Sequence, residues 1–214
     1  MYSFLHPTDG SSIQPWSFIF YRTTTKSVFI IRVLQQRLLR VGLVKDLVWA
    51  LSANHCAVVV ALHQDLGKPG TGEPLILDNV IPRCVVHTQD SVPGRTIVAV
   101  AVPVFLDTGD SGLKTQALSE LAVDAMGQEH RLYSWWEIFG LLVWSLLVLV
   151  GIKLAKNPIR GGTICTEQDL EFKHLLEQVY GIVDPLALDK DTTYPAQLLL
   201  AFINSRHYQV YRPL

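Results

Sequence analysis

A cysteine attacks carbonyl carbon only as its thiolate, and the residues around Cys165 favour that form. Cys165 follows the loop Arg160-Gly161-Gly162-Thr163-Ile164 and opens a stretch of helical periodicity. Unpaired N–H groups and the positive end of the helix dipole stabilise a thiolate there. Glu167 and Asp169 oppose that effect while suiting a first helical turn. A small buried hydrophobe is the other reading of the same residue. A nucleophilic thiol also needs a base within hydrogen-bond reach. His55 begins a β-branched run, a rigid place from which an imidazole can face the end of a packed helix; a plain hydrogen-bonded strand-end histidine is the alternative. Asp78 follows the apolar Leu75-Ile76-Leu77. A carboxylate buried there needs a partner, and an imidazole would pair it, hold the ring's tautomer and stabilise the imidazolium. Alternatively, Asp78-Asn79 is the polar end of a strand entering a turn, the reading favoured for Asn79.

These three residues are useful only if the elements between them bring them together. Trp16–Arg22 reads as a first strand, and Lys26–Ala50 as helix, with Gly42 dividing it in two. Cys56–Leu62 reads as a buried strand. Beyond the Gly-rich turns of Gly67–Gly72, Pro74–Val80 is expected to pair with it. Arg83–His87 and Thr96–Phe105 extend what reads as an antiparallel meander. Helical patterns follow at Lys114–Met126 and Thr166–Tyr180, the latter stopped by Gly181, and from Pro195 to Ser205. Ser134 and Glu137 have capping-box spacing and open an apolar segment. The tail His207–Arg212 alternates and suits a sheet edge. The expected fold class is α+β, an antiparallel sheet packed against helices.

The chain has 214 residues, 49% of them hydrophobic and 17% charged. Intrinsic disorder requires the opposite balance. A formal charge of −1 gives no electrostatic footprint for nucleic acid, so no nucleic-acid partner is expected. Three cysteines, Cys56, Cys84 and Cys165, are an odd number without zinc-site spacing. They read as reduced thiols, and neither a metal nor a cofactor is expected. The N-terminus lacks a basic-then-apolar signal peptide, which suggests a cytoplasmic location or one peripheral to a membrane. Residues 1–214 are read as one domain carrying a hydrophobic helical segment at about 134–153.

Within that segment, Ile138–Ile152 contains no charge, against the roughly 20 apolar residues that a spanning helix needs. Its length favours a buried helix, although Trp135, Trp136, Trp144, Lys153 and Lys156 could anchor it at a membrane interface.

The remaining candidates are weaker. Alternation turns Cys56 away from His55 and into the core. Cys84 and His87, three apart, face opposite sides of a short strand. His63, His130, His174 and His207 lack ligand-like spacing, and no P-loop, GxGxxG or HExxH occurs.

The order histidine, carboxylate, cysteine resembles the circularly permuted papain-like fold of the NlpC superfamily, which includes the lecithin:retinol acyltransferase-like proteins. The likeness is carried by Asn54-His55-Cys56-Ala57-Val58-Val59-Val60, Leu75-Ile76-Leu77-Asp78, Tyr133-Ser134-Trp135, Cys165-Thr166-Glu167 and Tyr194-Pro195, with Tyr208–Tyr211 as a final strand. It extends over residues 16 to 212. Thr166 stands where the family usually has Ser, Asp78 where it usually has Glu, and the 138–152 segment is bulkier than the pattern. The resemblance implies Cys165 as nucleophile, His55 as general base and Asp78 as orienter, with Tyr21 or Tyr133 donating to the oxyanion.

The expected function is that of a cysteine hydrolase cleaving an amide through an acyl-thioester, in a cell-wall peptide or a peptide conjugate. Two alternatives stand beside it. One is a lipid acyl hydrolase or acyltransferase at a membrane. The other is a non-catalytic membrane-associated interaction protein contacting the bilayer through Ile138–Ile152.

Overall fold

A computed structural model of the chain describes residues 13–24, 33, 36–37, 45–62, 74–80, 83–88, 94–106, 111–128, 135–152, 165–183, 188 and 193–212. The Gly67–Gly72 turns, Tyr133 and the Ser134 cap lie outside these residues, as does most of the expected Lys26–Ala50 helix. Within that span Val33, Gln36 and Arg37 are α-helical, and its end falls in a 3-10 helix, Lys45–Ser52.

Among the described residues, β1 (Phe18–Thr23), β2 (His55–Leu62), β3 (Pro74–Asn79), β4 (Cys84–Thr88), β5 (Arg95–Pro103) and β6 (Tyr208–Tyr211) form one sheet. All neighbours are antiparallel, in the spatial order β4-β3-β2-β1-β5-β6. The fold is α+β. A simple meander would set β5 beside β4; instead β5 crosses to the far side of β1. The reason lies in β1, whose Phe18, Ile19 and Phe20 are all fully buried. A strand apolar on both faces belongs in the middle of a sheet, whereas the half-buried β4 suits an edge.

Pleating divides the core. Phe18, Phe20, Cys56, Val58 and Leu77 share one cluster with helical residues including Cys165, Phe172 and Phe202. Ile19, Tyr21, Ala57, Val59 and Ile76 cluster on the other face. Besides the α-helical Val33, Gln36 and Arg37, the described residues form α1 (Ser111–Gly127), α2 (Trp135–Leu149), α3 (Cys165–Val179) and α4 (Pro195–Asn204). α3 packs against β2 and β3, and α4 against β5, β6 and the 3-10 helix. Gly181, at φ 65°, ends α3: its N–H bonds to Gln178 O, and the Ile182 N–H to Glu177 O. A buried Lys173–Glu177 ion pair of 2.9 Å and a Tyr208 hydroxyl donating to Glu177 tie α3 to β6.

α2 departs from the expected buried helix. Leu141 and Ser145 are buried, with Leu141 packed beside Tyr194 and the Ser145 hydroxyl hydrogen-bonded to that of Tyr194. Trp136, Phe139, Leu146 and Leu149 are exposed. A largely apolar helix docked along one side leaves its other side uncovered.

Phe202 packs against Phe18 at 5.0 Å and Tyr208 at 4.3 Å between ring centroids, joining α4 to β1 and β6. Phe202→Ala should cost about 3–5 kcal/mol of stability. Denaturant unfolding tests this, and a loss below ~1 kcal/mol would mean that the aromatic cluster does not hold α4 to the sheet.

Candidate active site

The site begins with a clamp on two strand ends. Asn54, just before β2, accepts hydrogen bonds at Oδ1 from the Thr23 N–H (2.8 Å) and hydroxyl (3.1 Å), and donates from Nδ2 to Thr23 O (3.0 Å). Its own N–H donates to Tyr21 O at 2.9 Å. These bonds fix where β2 starts and place His55 opposite Tyr21. Their ring centroids are 6.2 Å apart. The β1–β5 register shifts between Phe20 and Tyr21, an irregularity beside the site.

The register Val58↔Leu77 puts Ala57 opposite Asp78, with His55 two residues along the same face. His55 Nε2 lies 2.6 Å from Asp78 Oδ1. Asp78 is fully buried. Its second oxygen accepts from His87 Nε2 at 3.0 Å and from the Arg95 guanidinium, which also lies over the Tyr21 ring. His55 and Cys165, which opens α3, stabilise each other's charged forms. With Nε2 on Asp78, the nitrogen left for the thiol is Nδ1. Cys165, His55 and Asp78 therefore meet, from three separate elements.

Electrostatics polarise this line of groups. Burial of Asp78 favours its neutral form, but the His55 charge, hydrogen bonds from both histidines and Arg95 overcome this and hold it well below the usual carboxylate range. Burial likewise works against charged His55, yet Asp78 and the Cys165 thiolate push it up to about 10. Cys165 is held well below the ordinary thiol range. A hydrogen bond from the Cys56 thiol contributes most, burial opposes it, and the charge and hydrogen bond of His55 add to the lowering, with a further bond from the Cys56 backbone. The resulting state is a thiolate–imidazolium pair backed by a carboxylate.

Two further residues lie beside the site. Cys56, on β2, is fully buried in the same helix-facing core cluster as Cys165. Asp169, one turn beyond Cys165, is buried. Burial pushes its carboxyl well above the usual range, so it stays neutral beside the thiolate. Cys84 lies on the helix-facing side, where its sulfur accepts from Gln168 Nε2 at 3.1 Å. Its strand neighbour His87 faces Asp78 instead. Neither His87 nor Arg95 had been connected to Asp78. The available signal was the carboxylate itself, since an apolar strand carrying a buried acid requires cations nearby.

Tyr21 hydroxyl, Thr166 Oγ1 and Asp169 Oδ2 are buried without a hydrogen-bond partner among the described residues. Burial and the neighbouring Asp78 raise the Tyr21 phenol, which keeps its proton as a donor. Tyr133, the other expected oxyanion donor, lies outside the described residues. No group of three or more His, Cys, Asp or Glu among the described residues is arranged to hold a metal ion. No family model, curated protein or solved structure matches the chain.

The alkylation rate of Cys165 should stay level through neutral pH and fall only in acid, because a depressed thiol loses its charge only below its lowered value. Asp78→Asn should move the inflection upward. Residue-resolved iodoacetamide kinetics across pH measure both effects; a wild-type inflection at the ordinary thiol value of about 8.5 would contradict the ion pair.

Proposed function

We propose that the protein is a cysteine hydrolase of the permuted papain-like kind, acting on an amide carbonyl through an acyl-thioester intermediate. The observation carrying this reading is the His55 ring between the Cys165 sulfur and the Asp78 carboxylate. The Cys165 thiolate attacks the carbonyl carbon and makes the S–C bond. The proton on His55 Nδ1 passes to the departing amine as the C–N bond breaks. His55 then takes a proton from water attacking the thioester, and the acid product leaves with the thiolate restored. Asp78 holds the ring and offsets its positive charge throughout, and Arg95 and His87 hold Asp78. The Tyr21 hydroxyl is the candidate donor to the oxyanion.

The proposed substrate is an amide in a cell-wall peptide or a peptide conjugate. A second reading, a lipid ester or amide at a membrane surface, is favoured by one observation. α2 and the residues ending it expose Trp136, Phe139, Leu146, Leu149, Val150 and Ile152. No helix among the described residues is long and apolar enough to cross a membrane, so any such contact through α2 would be interfacial.

An activated acyl ester should leave an acyl adduct on Cys165, visible by intact mass and peptide mapping and absent in Cys165→Ala. His55→Ala should slow turnover by about 10²–10⁴-fold. Adducts on Cys56 or Cys84, or none, would overturn the assignment. Faster turnover of the same leaving group presented in vesicles than in solution would favour the lipid reading over the peptide one.

A further inference from the structure

Trp136, Phe139, Val143, Leu146 and Val150 follow one another at steps of three and four along α2 and the residue after it, so they line one side of the helix. Trp136 is 67% exposed and Val150 72%, Phe139 and Leu146 are exposed, and Val143 is half-buried. Leu141 and Ser145, on the other side, hold α2 to Tyr194. Apart from Glu137 in the first turn, α2 carries no charged residue, and its one hydroxyl, Ser145, is buried and bonded to Leu141 O and Tyr194. Scattered exposed hydrophobes are ordinary, but a continuous row of them marks a contact surface.

We infer that this side of α2 lies in the plane of an anionic lipid surface, with Trp136, Phe139, Leu146 and Val150 immersed at the boundary between headgroups and acyl chains. The end of the helix is built for a medium without water. The Gly151 N–H donates to Val148 O at 3.0 Å and the Ile152 N–H to Leu147 O at 2.9 Å, with Gly151 at φ 86°. The exposed apolar tip thus leaves no N–H from Val150 to Ile152 unbonded, as entry into lipid requires. Charge selects the kind of surface. Between Ile138 and Thr166 the sequence carries Lys153, Lys156 and Arg160 and no acid. Anionic headgroups complement that run, whereas a second copy of the chain brings the same positive charges. Trp136 sits at the opposite end, the residue type that favours a membrane–water interface. Fifteen helical residues reach about 22 Å, short of the roughly 30 Å of a hydrocarbon core, so the helix lies along the surface. The inference concerns where the molecule sits, and it uses neither the Cys165 chemistry nor the choice of substrate.

The test floats the full chain on density gradients with vesicles of phosphatidylcholine and phosphatidylserine, and with phosphatidylcholine alone. The expected result is flotation with the anionic vesicles, weakened by salt and by Lys153→Gln with Lys156→Gln. Phe139→Gln with Leu146→Gln should lower the bound-to-free ratio at least about tenfold. Both residues are exposed, and circular dichroism checks the fold. Independently of any variant's folding, brominated acyl chains should quench the tryptophan emission of the unaltered protein, most strongly with bromine just below the headgroups. Failure to float, flotation indifferent to the double glutamine substitution, or strongest quenching at the bilayer centre would each overturn the inference. So would a dimer in sedimentation that the same substitution dissolves while no vesicle binds, which would give the row to a second copy. Acylation of Cys165 without flotation defeats this inference alone, and flotation without acylation defeats the hydrolase alone.

Discussion

A carboxylate with no exposure to water, inside a six-stranded sheet, is the constraint on which the site depends. Asp78 remains charged because His55, His87 and Arg95 converge on its two oxygens. Leaving such a charge unpaired costs about 3–5 kcal/mol, so the partners and the acid hold one another in place. Once Asp78 is charged, the rest follows electrostatically. It orients the imidazole and keeps its proton, and the imidazolium in turn favours the thiolate across the ring. The direction of each pKa displacement agrees with this order: the acid down, the base up and the thiol down.

The surroundings keep that charge separation from being cancelled. Asp169 lies one turn from the thiolate and would repel it if ionised, but burial keeps it neutral. Cys56 adds to the lowering of the Cys165 thiol. The Asn54 clamp fixes the start of β2, and a slip of one residue would turn His55 to the opposite face.

Much of this was legible in the residues. Alternation and β-branching located β1, β2, β3 and β5 to within a residue or two, and Gly181 and Pro195 marked helix ends. Cys165, His55 and Asp78 stood out because each was chemically out of place: a thiol at a helix start, and polar groups at the ends of apolar strands. Strand order was not legible, since pairing preference alone does not tell β5 which edge to join; the two-sided burial of β1 decides that. Arg95 and His87 carried no local pattern because their role exists only across strands. Alternation placed Cys56 in the core on the face opposite that of Ala57 and Val59, where the structure has it. The length rule for Ile138–Ile152 addressed spanning, not docking, and a one-sided contact with Tyr194 lay beyond it.

The protonation state of one ring tests the central claim most directly. Nitrogen NMR of histidine-labelled protein, with His55 assigned through a His55→Gln variant, follows that imidazole through a pH titration. The account predicts a ring protonated at both nitrogens through neutral pH, losing its proton only near pH 10, and lower in Cys165→Ser. A His55 ring that titrates at the ordinary 6.5 and ignores the loss of the thiol would contradict it.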